Sequence, residues 1–393
     1  MTQTRHAGRG ERGAVFVQVG IAAFVLVSFN VFVLDYGMMW VARRQAQNAA
    51  DAGALAGAVA RGYDDFSDPP AYAMQVAQQV AATNPVWQAS PTAVSSDACP
   101  AGVSAKCIRV DVYRNGQAGS TPLPTLFGPM LGITDQGVRA TATAVAGRAN
   151  ATKCMKPWAL SDDWIENLGS STTFDYWNAT GTAPLAGADG YIVPNATSEG
   201  LTTISNDYNE RIIWDLEDPL TAPITRNFVI PLHLPGTNSY AQNMVTCNGN
   251  AVAIGDTVPV ETTVIGTSQT TTAANAVFAL DAAATYDYAT QRIGNSCAPV
   301  CAPVSPRLLA VVLYDPVRFQ KGRNSGVWDT PDVGCPSNSP CVTVRNIVGL
   351  FMHGISGGYG PHGHFVKYPG YVSGSAPLYT ENASWLVRTH LIR

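Results

Sequence analysis

Ala14–Leu34 reads AVFVQVGIAAFVLVSFNVFVL, and its reading decides how the rest of the chain is placed. The run holds no charged residue over 21 positions. At about 1.5 Å of rise per helical residue it spans roughly 31 Å, the thickness of a bilayer's hydrocarbon core. A cleaved secretion signal has a shorter apolar region that ends in small residues. Here the run ends in Asp35-Tyr36-Gly37-Met38-Met39-Trp40, which sets aromatic side chains at a membrane–water boundary. A buried core helix would need an amphipathic alternation that this run lacks. Residues 14–34 are therefore read as an uncleaved, single-pass anchor.

Beyond it, Val41–Ala60 reads VARRQAQNAADAGALAGAVA. Ala and Gln favour helix, and no residue before Gly53 opposes it. Ala46, Ala50, Gly53, Gly57 and Ala60 recur at spacings of three and four, so they share one helix face. Small residues on a shared face let another element approach closely. The expectation is one continuous helix running from the membrane into a folded domain.

Charged residues are only 13% of the 393, and 24 Lys and Arg against 28 Asp and Glu give a net charge of −4. Such a balance supplies no basic field for nucleic acid. A hydrophobic share of 46% is enough to fill a core, which excludes a disordered chain. Arg5, Arg9 and Arg12 precede the span and Arg43 and Arg44 follow it, a weak bias for orientation. Cysteine placement decides better. Cys99, Cys107, Cys154, Cys247, Cys297, Cys301, Cys335 and Cys341 all follow the span, an even number in sequence suited to an oxidising compartment. The N-terminus is thus expected in the cytoplasm and everything after Trp40 outside it. Cys-x2-Cys pairs of the zinc-ribbon kind are absent. Disulfides are expected, with the three sequence-local pairs plus Cys154–Cys247 as the preferred set among many possible pairings.

The fold class expected is α+β in three parts. Residues 1–62 form the tail, the anchor and its helical extension. Residues 63–150 form a small α+β domain: a helix at 70–83, strands at 92–96, 107–114 and 137–147, and a short helix at 123–131. Residues 151–393 form a β-rich, disulfide-bonded domain with strands near 226–234, 251–254, 307–313, 341–352 and 384–392.

The stretch His353-Gly-Ile-Ser-Gly-Gly-Tyr-Gly-Pro-His362-Gly-His364 carries three candidate metal ligands. It holds no acidic or thiol ligand, and its glycines read as a surface loop with no element to fix a geometry. Gly354-Ile-Ser356-Gly-Gly358 is formally G-x-S-x-G, but Gly-Tyr-Gly-Pro follows where a nucleophile elbow needs a helix. Acidic groups at Asp162, Asp163 and Glu166, and at Asp215, Glu217 and Asp218, read as solvated turns and not as a calcium loop or a glycosidase pair. Sequons at Asn150, Asn178, Asn195 and Asn382 matter only in a eukaryotic secretory protein. No catalytic residue and no cofactor motif is assigned.

The stretch from Glu11-Arg-Gly through Asp35-Tyr-Gly to Gln47-Asn-Ala-Ala-Asp51-Ala-Gly-Ala-Leu-Ala-Gly-Ala resembles the N-terminus of TadG-like proteins of the bacterial Tad/Flp (tight adherence) pilus assembly system. Cys154-Met-Lys-Pro-Trp158, Asp163-Trp164, Ser305-Pro-Arg307 and Tyr314-Asp-Pro316 are similar to further segments of such proteins. The resemblance implies an inner-membrane protein with a periplasmic domain. Its partners would be the lipid bilayer and other pilus assembly proteins or pilins, and it would have no enzymatic role. The adhesion motif Asp-x-Ser-x-Ser of von Willebrand A domains is absent. An exported metal-binding hydrolase or an adhesin at the cell envelope is the alternative. Pilins are cut after a glycine and carry a membrane-buried Glu five residues on. Here Gly13 is followed by Ala-Val-Phe-Val-Gln18, so that position is neutral. The lost ion pair is worth on the order of 4 kcal/mol before desolvation, against about 1 kcal/mol for a hydrogen bond from Gln18. An anchored component is expected, not a polymerised pilin.

Overall fold

The computed structural model describes residues 11–64, 68–103, 106–167, 172–193, 200–201, 211–214, 217–263, 267–298, 300–302, 304–356, 360–374, 376–379 and 383–392. Arg5, Arg9, Asp215, Asn195, Asn382 and Gly358 lie outside them. The chain divides into two compact units: residues 1–61, 65–146 and 389–393 form the first, and 62–64 and 147–388 the second.

The first unit is organised by α1 (Glu11–Tyr63), an unbroken helix of 53 residues. Among the described side chains its apolar run is exposed, with Ser28 half-buried. From Asp35 onward one face is buried, through Met38, Ala42, Ala46, Ala49, Ala50, Ala54 and Ala58. α2 (Ala71–Thr83) meets that face with Ala73, Ala77 and Ala81, each one turn apart. Beneath lie β1 (Thr92–Ser96), β2 (Lys106–Arg114), and a two-strand ribbon of β3 (Leu123–Pro124) and β4 (Asp135–Gln136), followed by β5 (Val138–Arg148). β2 pairs antiparallel with β1 and β5. Ile108, Val110 and Val112 alternate inward from β2, and Ala140, Ala142 and Ala144 from β5. The short helix expected at 123–131 is replaced by the ribbon and a single 3-10 turn at Gly128–Leu131. Pro124, Pro129 and Gly132 (φ +79°) account for this: two prolines and a left-handed residue leave no uninterrupted helical turn.

The second unit contains β6 (Ala151–Thr152), β7 (Met155–Ser161), β8 (Trp164–Ile165), β9 (Gly190–Tyr191), β10 (Arg211–Ile213), β11 (Val229–Pro231), α3 (Tyr240–Val245), β12 (Val252–Ala253), β13 (Thr257–Pro259) and α4 (Thr267–Leu280). It continues through β14 (Thr285–Asp287), β15 (Arg292–Gly294), β16 (Leu308–Tyr314), α5 (Pro316–Ser325), β17 (Cys341–Ser356), β18 (Gly360–Val366), β19 (Tyr368–Pro369) and β20 (Leu386–Ile392), whose last residues return to the first unit. The main sheet runs β10-β18-β17-β16-β7-β11, with β13 also paired to β17. β16 and β7 are parallel and the other pairs antiparallel. The run LLAVVLY of β16 is continuously apolar because both faces of the sheet are covered. Leu309, Val311 and Leu313 enter one core with α3 and α4, while Ala310, Val312 and Tyr314 enter the other with Phe319 of α5.

Four disulfides close the chain: Cys99–Cys107, Cys154–Cys247, Cys297–Cys301 and Cys335–Cys341. The Cys154–Cys247 bridge spans 93 residues and Cys297–Cys301 only 4. In the chain-entropy account these constrain the unfolded state by about 4–5 and about 2 kcal/mol respectively. Replacing both cysteines of the long bridge by serine should therefore lower the melting temperature of the full chain more than the same change at Cys297 and Cys301. Equal shifts would contradict the account.

Candidate functional site

Two places gather the residues that the sequence singles out: the part of α1 beyond its apolar run, and the His-bearing hairpin of the second unit.

On α1, the glycines mark the closest approach. A Cβ on Gly53 would lie 2.7 Å from the Ala77 carbonyl oxygen and 2.8 Å from the Ala81 methyl. One on Gly57 would lie 2.7 Å from both the Ala77 methyl and Ile108 Cγ2. The polar positions of the same motif hold neighbouring backbone. Gln45 Oε1 accepts the Trp87 N–H at 2.8 Å, and Gln47 Nε2 donates to Asp51 Oδ1 at 2.8 Å and to the Thr141 carbonyl at 3.2 Å. Gln47 and Asp51 also line a surface cleft of about 610 Å³ with Pro100, Thr141, Leu391 and Ile392. Gln18 lies on the exposed apolar part of α1.

His353, His362 and His364 are brought together, but not on a loop: His353 lies on β17, and His362 and His364 on β18. Gly363, read as a loop former, and Gly349 on β17 are instead where the strands touch. A Cβ on Gly363 would collide with the Phe351 carbonyl oxygen, and one on Gly349 would meet the Val366 carbonyl oxygen at 2.5 Å. The imidazole centroids of His353 lie 4.6 Å from His364 and 6.4 Å from His362. Tyr288 stacks on His353, and its hydroxyl stands 3.3 Å from His353 Nε2 and 3.5 Å from His364 Nδ1. Tyr286 stacks on Phe351 beside them. Among the described residues no three His, Cys, Asp or Glu side chains are placed to hold a metal ion. The two tyrosines were invisible in the sequence, because β14 and β15 are brought over the hairpin from far along the chain.

The acidic groups separate by environment. Asp163 pairs with Arg226 at 2.8 Å. Asp162 is buried and accepts the N–H groups of Asp163 and Leu201, both at 2.9 Å, and the Tyr191 hydroxyl at 3.1 Å. Burial pushes its carboxyl up to about 7, against the lowering pull of those donors. Glu166 and Glu217 are exposed and Asp218 half-buried. Asn150 is fully buried, its amide bonded to the Ser373 and Ala376 carbonyls, so its sequon is closed to modification in the folded chain. Side-chain placement is not described for Ser356.

The remaining marked segments prove structural. Arg307 is buried and donates to the carbonyls of Asp281, Ala284, Met352 and His353. Asp315 caps α5 through the N–H groups of Val317 and Arg318, with Pro316 at the first helical position. Trp158 donates to the Tyr240 hydroxyl at 2.8 Å and packs on Trp214.

Two outcomes follow from this geometry. Gly57→Ala should destabilise the first unit by about 1–2 kcal/mol, overpacking outweighing the gain in helix propensity, whereas Gly37→Ala, with nothing within 4 Å, should be neutral or stabilising. Thermal unfolding in detergent compares them, and equal behaviour would refute the close-approach account. For Asp162 the folded carboxyl titrates above the unfolded value of 3.8, so the folded state holds the extra proton. Its contribution is fully present below pH 4 and is lost as pH rises through 7. Asp162→Asn should flatten that part of the stability–pH profile; an unchanged slope would remove Asp162 as its source.

Residues 13–60 match the family model described as "Putative Flp pilus-assembly TadE/G-like". No curated protein and no solved structure matches the chain. The matched span begins at the apolar run and ends where the small-residue face of α1 ends, and over it the chain is similar to the TadG-like proteins of the Tad/Flp system.

Proposed function

We propose that the protein is a membrane-anchored, non-enzymatic component of bacterial Tad/Flp pilus biogenesis that carries its folded units on the periplasmic or outer side of the inner membrane. The observation that carries this reading is the match over residues 13–60, which falls on a helix long and apolar enough to cross a membrane and continuous with a packed domain. The cysteines support the orientation: all eight are paired and follow the apolar run, as in an oxidising compartment. Gln18 supports a fixed anchor over a polymerising pilin, since a neutral side chain supplies no ion pair to a neighbouring N-terminus. The tyrosine hydroxyl between His353 and His364 favours a packed polar cluster over a metal-dependent hydrolase. The partners are the bilayer and other pilus assembly proteins or pilins.

Alkaline phosphatase fused after Gly147 should be active in a bacterial host, and a fluorescent protein that folds only in cytoplasm should stay dark at the same position. The reverse pattern would overturn the orientation. Deleting the gene should abolish Flp pili, with the intact protein retained in the inner membrane of wild-type cells and not recovered with sheared fibres. A mature N-terminus at Ala14 on sheared pili would make it a pilin.

A further inference from the structure

Asp35 directly follows the uncharged run, and its side chain is only 9% exposed. Its Oδ1 accepts the Leu126 N–H at 2.9 Å, its Oδ2 accepts the Gly128 N–H at 2.8 Å, and the Phe127 N–H lies between them at 3.3–3.4 Å. Its carbonyl accepts Gln136 Nε2 at 3.4 Å. One carboxylate thus holds three successive N–H groups of the β3–β4 connection. That connection is also closed on itself: Leu123 pairs with Gln136 and Pro124 with Asp135, Thr125 Oγ1 donates to the Ile133 carbonyl, and the Ile133 N–H returns to Gly128. Yet its outer surface shows two large apolar side chains, Leu126 at 61% and Ile133 at 55% exposure.

The level of this loop follows from two rulers. Gln136 meets α1 at Asp35, and Thr141 meets it at Gln47. Twelve helical residues rise about 18 Å and five strand residues about 17 Å, so β5 climbs alongside α1 away from the apolar run. The β3–β4 loop is therefore at the end of the first unit nearest the run, at the height where the run stops. Tyr36 and Trp40 are exposed on α1 at that height, and the Arg44 guanidinium lies 3.7 Å from the centre of the Trp40 ring, an arrangement suited to a headgroup layer.

We propose that the β3–β4 loop is a second membrane contact, with Leu126 and Ile133 entering the interfacial region of the leaflet that α1 leaves. The occupant of this apolar tip is lipid: the tip is continuous with the exposed, membrane-spanning face of α1 and is fastened to it by Asp35. A helix alone lets its domain swivel and tilt about one point. A loop in the same leaflet adds a second point and fixes which side of the unit faces away from the membrane. Asp35 is then a positioning residue. Its three N–H partners satisfy a carboxylate that would otherwise be costly at this depth.

The proposal rests on the reading of residues 14–34 as a span, and the test keeps the two apart. The photoreactive residue p-benzoylphenylalanine is placed singly at Phe24, Leu126, Ile133 or Asp97 of the full chain, reconstituted in vesicles of phosphatidylethanolamine and phosphatidylglycerol. All four positions are exposed, so the fold should tolerate the change, and intact disulfides by non-reducing mass spectrometry check it. Asp97 follows the end of β1 that pairs toward Arg109, far from Asp35 along the strands. Lipid adducts are expected at 24, 126 and 133 and not at 97. No adduct at 24 would overturn the span itself. An adduct at 24 with none at 126 or 133 would overturn the loop contact alone, as would protein adducts in place of lipid at 126 and 133 in cells. Asp35→Leu should lower the adduct yield at 126 severalfold while leaving 24 unchanged; an unchanged yield at 126 would remove Asp35 as the fastening.

Discussion

The first unit depends on the thinness of one helix face. Between Ala42 and Ala60, every buried position of α1 is Ala or Gly, so nothing larger than a methyl group stands between its backbone and α2. Each alanine buries little area, and the stabilisation comes from contact density: backbone atoms approach as closely as side chains usually do. The sheet answers in kind, since three of the four inward residues of β5 in this core are alanines, Val138 being the fourth. Bulk on either partner forces the other away, which is why the tolerance of this interface is set at Gly53 and Gly57 and not at its larger residues.

This constraint was legible because a helix repeats it every three to four residues. The small-residue face and the alternation in CIRVDVYR each have a local period, the apolar run is marked by its uncharged length, and each became the element expected. The elements missed have signals of another kind. α5 is announced by Asp315-Pro316, an N-cap and a first-turn proline, but its body PVRFQKGRNS has a weak apolar pattern. α4 is rich in threonine, which reads as strand or loop, and tertiary packing of Ala273, Ala274 and Val277 overrides that preference. The His hairpin was misread because five glycines among three histidines look like a mobile loop. What the sequence could not show is that Gly349 and Gly363 face neighbouring carbonyls, so the missing side chains close a sheet instead of loosening a turn.

The buried ionisable groups of the second unit are shifted first of all by the cost of burial. Arg307 is surrounded by four carbonyls and lies over the rings of Phe278 and Phe351, so its charge is met from every side by the strands it ties together. Lys156 is held near 8 by burial, with the Thr246 carbonyl at 3.3 Å. Asp162 keeps its proton near neutral pH by the same penalty. A perturbed group in a cleft is a functional candidate. These groups also join chain segments far apart in sequence: Arg307 reaches back to residue 281 and forward to 353, and Asp162 reaches 191 and 201.

The polar residues of the matched segment can be ordered by the same reasoning. Asp35, Gln45 and Gln47 each bond backbone groups of the first unit, at successive heights along α1, and Gln47 also bonds Asp51 of its own helix. Backbone partners do not depend on which side chains occupy the partner strands, so the helix can be held in one register while the surface of the domain varies. α1 has no break between Glu11 and Tyr63, and Gly37, Gly53 and Gly57 sit within it without interrupting it. A rotation of α1 about its axis is therefore carried, residue by residue, to the strands bonded to it. Fixing the helix where its apolar run ends then fixes the first unit against it, and a single carboxylate one residue beyond that run is the shortest means the chain has of doing so.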